Sequence, residues 1–116
     1  MSGIIGTSHS KSKVVGKSQD TAKAWAAFSM AGTPAFKDSF GFSSLTDHST
    51  GMGRVNFITA MSNDGYSAVA SGDAAGSWVG AGTHINVTNT AYVSVLHVED
   101  NAFIDTAMQQ VIVFGD

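Results

Sequence analysis

The sequence predicts an all-β fold, a small antiparallel β-sandwich or barrel-like domain behind an extended N-terminal arm. Three observations carry this. Short runs of alternating apolar and polar residues recur at roughly ten-residue spacing, clusters of Gly, Asn, Asp and Ser separate them, and almost no segment shows a helical period. The chain has 116 residues, enough for one small domain, and a domain of this size often gains stability by associating. We divide it into an arm over residues 1–22 and a sandwich domain over residues 23–116.

The arm is Ser-, Lys- and Gly-rich, with Lys11, Lys13 and Lys17. Gly3-Ile4-Ile5-Gly6 is echoed ten residues later by Lys13-Val14-Val15-Gly16. Such text cannot bury enough apolar surface to fold alone. It reads either as a flexible leader or as an extended strap whose Ile4, Ile5, Val14 and Val15 dock on another protein. Extended, it reaches about 65 Å at ~3.3 Å per residue.

Residues 22–30 allow two periods. Alanine favours helix, but period two places Ala24, Ala26, Phe28 and Met30 on one side and Trp25 and Ala27 on the other. The strand-rich surroundings, and the stop at Gly32-Thr33-Pro34, favour a strand. Residues 38–66 hold the densest pattern. Phe40 and Phe42 alternate with Ser39, Gly41 and Ser43, and Val55, Phe57 and Thr59 alternate with Arg54, Asn56 and Ile58. The Gly-rich residues 47–53 lie between them, which predicts a hairpin with one apolar face. Leu45 breaks the parity of Phe40 and Phe42, so a bulge is expected near Ser43-Ser44. Asn63-Asp64-Gly65 supplies the next tight turn.

Short strands are expected over residues 66–71 and 85–88. Residues 72–83 have loop composition, with four glycines and the single large aromatic Trp78. Residues 91–98 are the strongest strand signal, apolar on both faces and therefore covered by a second sheet or a partner. Residues 99–110 read as a loop or one helical turn, and residues 111–114 as a closing strand.

Few function classes survive the composition. A net charge of −3 with 13% charged residues argues against a nucleic-acid surface. The absence of cysteine removes disulfides, thiolate nucleophiles and Cys-based metal sites. The opening residues lack a signal-peptide core, and no stretch approaches the ~20 apolar residues of a membrane span. His9, His48, His84 and His97 show no metal-ligand spacing. His97 reads as packed and hydrogen-bonded, and His48 and His84 as solvated turn residues. Asp38, Asp47, Asp64, Asp73, Glu99, Asp100 and Asp105 read mostly as turn carboxylates, with no spacing that sets two across a cleft. No Gly-x-Ser-x-Gly elbow and no dinucleotide loop appears. No cofactor is expected. One candidate binding site remains: Trp78 in the Gly-rich loop, a core plug or a stacking platform for a sugar ring, with Asp73 and His84 flanking it as hydrogen-bonding groups.

Several of these segments, taken together, resemble a known module. Ala24-Trp25-Ala26-Ala27-Phe28, Lys37-Asp38-Ser39-Phe40-Gly41-Phe42-Ser43-Ser44-Leu45-Thr46-Asp47, residues 51–57 and Thr59-Ala60-Met61 follow the order and spacing of a recurring tail-fibre module of bacteriophages. The match covers about residues 24–69, with Gly41 standing where Asn is usual. The resemblance implies a structural virion protein without enzyme activity, a homotrimer that forms or decorates a tail fibre or tail tip. It places the protein in the virion tail, assembled in the host cytoplasm, with the arm holding other tail proteins. Residues 24–69 would then be scaffold, and residues 70–110 would carry any host-recognition surface. The alternative expectation is a glycan-binding receptor-recognition module acting through the 72–84 loop.

Overall fold

A computed structural model describes residues 22–76 and 79–115. Ile4, Ile5, Val14, Val15 and Trp78 lie outside the described residues, as does the arm up to residue 21. Among the described residues nine strands follow in order: β1 Ala22–Ser29, β2 Ala35–Phe40, β3 Phe42–Ser49, β4 Met52–Phe57, β5 Ser67–Gly72, β6 Gly82–Thr88, β7 Tyr92–Glu99, β8 Ala102–Phe103 and β9 Gln109–Phe114. They form two antiparallel sheets, a four-stranded one in the order β2-β1-β9-β5 and a five-stranded one in the order β3-β4-β7-β6 with β8 paired to β7. The fold is an all-β sandwich. Ala22, the last residue assigned to the arm, already belongs to β1.

The inward faces are those that alternation picks out. From the four-stranded sheet come Ala24, Ala26, Phe28, Val111 and Val113; from the five-stranded sheet come Phe42, Val55, Phe57, Val93 and Val95. Phe42 stacks on Phe57 with ring centroids 5.1 Å apart, and Tyr66 meets Phe57 edge-on at 5.6 Å. Strand β1 is a strand with the expected parity, and the bulge stands at Ser43, between the pairs Phe42–Phe57 and Ser44–Asn56. The bulge brings Leu45 back to the core side, opposite Val55.

Three expectations are corrected. Phe40 and Phe42 do not share a face of one strand. Gly41 sits at φ +81° and ends β2 in one sheet, so that β3 begins in the other; Phe40 points out and Phe42 in. That left-handed conformation suits Gly and, less readily, Asn. The hairpin turn is also tighter than residues 47–53, because β3 continues to Ser49 and β4 starts at Met52. Finally, residues 99–110 hold no helical turn. Asp100 and Asn101, both at positive φ, make a two-residue turn into β8, the primed geometry that matches strand twist.

Tyr66 ties the apolar end of the sandwich together. Its hydroxyl lies 3.0 Å from both Asn89 O and Tyr92 O and accepts the Asn89 N–H at 3.0 Å. Asn89 N–H also reaches Tyr92 O, so Tyr66→Phe leaves no orphaned donor and should cost about 1 kcal/mol. Burial raises the phenol's pKa above its ordinary value; the Asp64 carboxylate and Tyr92 add to this, and the Asn89 backbone contact opposes it. The folded state thus holds the proton more tightly than the unfolded chain. The resulting stability is complete below about pH 10 and is lost as pH rises through the folded value. Between about pH 9 and pH 11, urea midpoints should fall further for the parent protein than for Tyr66→Phe.

Candidate functional site

The end of the sandwich opposite Tyr66 is polar inside. The core-facing parity of β7 runs Val93, Val95, His97, Glu99, so the last two inward positions of an apolar face carry an imidazole and a carboxylate. Both are buried, at 1% and 3% exposure. His97 Nε2 lies 2.7 Å from Glu99 Oε2, and His97 Nδ1 lies 2.7 Å from Thr83 Oγ1 on the neighbouring strand β6. A neutral imidazole protonated on Nε2, accepting the Thr83 hydroxyl on Nδ1, satisfies both contacts. Glu99 Oε1 accepts the Gly76 N–H at 3.0 Å, and Oε2 accepts the Ala75 N–H.

These contacts fix the Gly-rich segment that follows β5. Asp73 N–H donates to Met108 O at 3.0 Å, and Thr106 Oγ1 donates to Asp73 O at 2.8 Å. Asp100 N–H reaches Val79 O at 2.7 Å. The β3–β4 turn closes on the same region: Gly51 N–H donates to Asp105 Oδ1 at 2.6 Å, and His97 N–H donates to Gly51 O at 2.8 Å. Gln109 is fully buried, and its side-chain amide has no hydrogen-bond partner among the described residues.

Thr83, His97 and Glu99 form a hydroxyl–imidazole–carboxylate chain, the set of groups that activates a nucleophile in acyl-transfer sites. Here both carboxylate oxygens hold backbone amides and the imidazole is sealed off. Three of the cavities among the described residues, of about 490, 400 and 270 Å³, touch none of the three. A fourth, about 420 Å³ and lined by Ala75, Gly76, Glu99, Asp100, Ala102 and Ile104, reaches only the carboxylate end. The arrangement works as a clamp that fastens a loop to two strands.

The residues singled out from sequence are placed as follows. Asp73 is exposed, at the end of the four-stranded sheet. His84 lies in β6 and His48 in β3, so both are exposed strand residues rather than turn residues. The His84 ring covers Gly82, where an added Cβ would lie 2.9 Å from Nε2. Among the described residues no hydrogen bond joins Asp73 to His84. His97 is packed and hydrogen-bonded, as its place in β7 suggests. Glu99 is not a turn carboxylate but a buried one, because β7 extends one residue beyond its apolar run. The signal that finds it is the period-two continuation of Val93 and Val95. Comparison of the chain with protein-family models, curated proteins and solved structures finds no match.

Proposed function

We propose that this chain is a structural subunit of a bacteriophage tail fibre or tail tip, acting as a homotrimer rather than as an enzyme. The observation that carries the reading is the outer face of the four-stranded sheet, where Trp25, Phe40, Val69, Ile112 and Phe114 all stand exposed. An apolar face of this kind needs cover, and a closed assembly of identical subunits provides it. The resemblance of residues 24–69 to the tail-fibre module supplies the setting. The buried clamp fits a structural part, since Glu99 holds the Ala75 and Gly76 amides while His97 bonds Glu99 and Thr83 inside the chain. In this reading the arm, through Ile4, Ile5, Val14 and Val15, joins the domain to other tail proteins.

Immunogold labelling of intact phage particles that carry this gene tests the assignment. Gold on the tail or its tip is the expected result. Particles without gold, from lysates in which the free chain is abundant, would overturn it.

A further inference from the structure

The outer face of the five-stranded sheet differs in kind from that of the four-stranded one. Ser44 and Thr46 on β3, Arg54 and Asn56 on β4, and Tyr92 and Ser94 on β7 point away from the core, because they alternate with the inward Leu45, Val55, Val93 and Val95. Register sets Thr46, Arg54, Ser94 and Val87 in one row, with Ser44, Asn56 and Tyr92 in the next. Of the large apolar side chains that stand exposed among the described residues, only Val87 belongs to these rows. The rest of the patch is hydroxyl, amide, phenol and guanidinium.

Three of these groups are held in place with bonding capacity left over. Arg54 is the single arginine of the chain, and its guanidinium carbon stands 4.6 Å from the centroid of the Tyr92 ring. Stacking of this kind steadies the planar fork and leaves its N–H groups free. The chain has nine Asp and Glu residues, yet among the described residues no carboxylate lies within 4.0 Å of Arg54. Beside it, Asn56 Nδ2 donates to Ser44 Oγ and Thr46 Oγ1, both at 3.0 Å, and to Ser44 O at 3.4 Å. The amide is thereby fixed, and its Oδ1 accepts no hydrogen bond among the described residues. Ser94, next to Arg54 in its row, is 2% exposed, and its Oγ has no partner among the described residues. A buried hydroxyl left in this state on an outward face points to a group that the chain itself does not supply.

We infer that this face binds a carboxylated sugar, its carboxylate taken by the Arg54 fork and its ring hydroxyls by Asn56 Oδ1 and the Ser44 and Thr46 hydroxyls. A guanidinium matches a planar two-oxygen anion with two parallel hydrogen bonds. Each hydroxyl that accepts from Asn56 keeps its own proton for a ligand oxygen. The charge limits the ligand further. The strands of this sheet hold no lysine, so Arg54 meets one negative charge, not the closely spaced charges of a nucleic acid, which need a basic stripe. A chain of net charge −3 also repels a dense polyanion. A protein partner is disfavoured by composition, because protein contacts centre on buried apolar anchors and this patch has none. The inference stands apart from the tail assignment. It sets a ligand on the segment that the resemblance makes scaffold, away from the 72–84 loop.

A single arginine makes the test direct, since the full-length protein gives one arginine Nε–H signal in a nitrogen-15 spectrum. Glucuronate and N-acetylneuraminate should shift that signal together with the Asn56 and Ser94 backbone amides, with dissociation constants on the order of 1 mM, ordinary for ligands of this size. Glucose should leave all three in place, and acetate and glucose 6-phosphate should act far more weakly. Arg54→Lys keeps the charge and loses the fork. It should weaken binding by roughly tenfold or more, read on the two backbone amides, while the remaining spectrum shows the fold intact. No shift with either acidic sugar overturns the inference, and so does undiminished binding by Arg54→Lys. A response to acetate or to glucose 6-phosphate as strong as to the acidic sugars overturns it too, since the face then reads a bare anion. Protection of the Arg54 signal only on mixing with another tail protein, without a response to sugar, would give the face to a protein contact instead. None of these results bears on the gold labelling, which does not involve Arg54.

Discussion

Glu99→Ala should lower the unfolding free energy by about 2–3 kcal/mol, the usual cost of leaving a buried donor without its charged acceptor. The substitution leaves the Ala75 and Gly76 amides without their acceptor and His97 Nε2 without its carboxylate. Against a typical total of ~5–15 kcal/mol, such a loss is large enough to unfold a marginal domain. Urea unfolding measures it, and hydrogen exchange locates it, since the amides of residues 73–76 should lose protection ahead of the core. Glu99→Gln keeps one acceptor oxygen and should fall between the parent and the alanine variant. A change under about 0.5 kcal/mol for Glu99→Ala, the range of ordinary surface substitutions, would remove the clamp from the account.

Gly51→Ala is expected to cost about as much, for a different reason. Gly51 lies at φ +73°, a region that costs an L side chain roughly 1–2 kcal/mol. A Cβ there would also stand 2.7 Å from Ile104 N, 2.9 Å from His97 O and 3.0 Å from Ile104 O. All three are backbone atoms, so no side chain can swing aside, and overpacking adds about 1–3 kcal/mol. Gly32 separates the two contributions. It has nearly the same φ, +69°, with nothing within 4 Å of its notional Cβ, so Gly32→Ala should cost only the conformational part, about 1–2 kcal/mol. Equal losses at the two glycines would mean that the crowding around Gly51 is relieved by a backbone shift.

What was legible in the sequence was whatever follows from alternation. The strand over β1, the bulge that returns Leu45 to the core side and the final strand can all be read from parity alone. What alternation cannot show is where the chain changes sheets. Phe40, Gly41 and Phe42 look like one continuous strand, and only the left-handed φ of Gly41 sends the two rings to opposite sides. The clamp was half legible. His97 could be placed as a packed residue, but Glu99 begins a polar run with Asp100 and Asn101 that reads as a turn. The turn starts one residue later, and that single step moves a carboxylate from solvent to core. Thr83 was hidden by its glycine-rich neighbourhood, which looks like loop up to the point where β6 begins at Gly82. The outer row of the four-stranded sheet, Phe40, Trp25, Ile112 and Val69 in register, was hidden for another reason. Its members are far apart in the chain, and only the register of four strands brings them side by side.

The place of β9 has a consequence for how the protein is made. It is last in chain order among the described strands, yet it sits between β1 and β5 with a full ladder on each side. The β3–β4 hairpin can close as soon as it leaves the ribosome, because its partners adjoin in sequence. The four-stranded sheet cannot. Until residues 109–114 emerge, β1 and β5 each keep an open edge facing the gap, and the Trp25 and Val69 sides of the outer row have nothing between them. A nascent chain is thus most prone to strand-to-strand aggregation just before its final ladder is added.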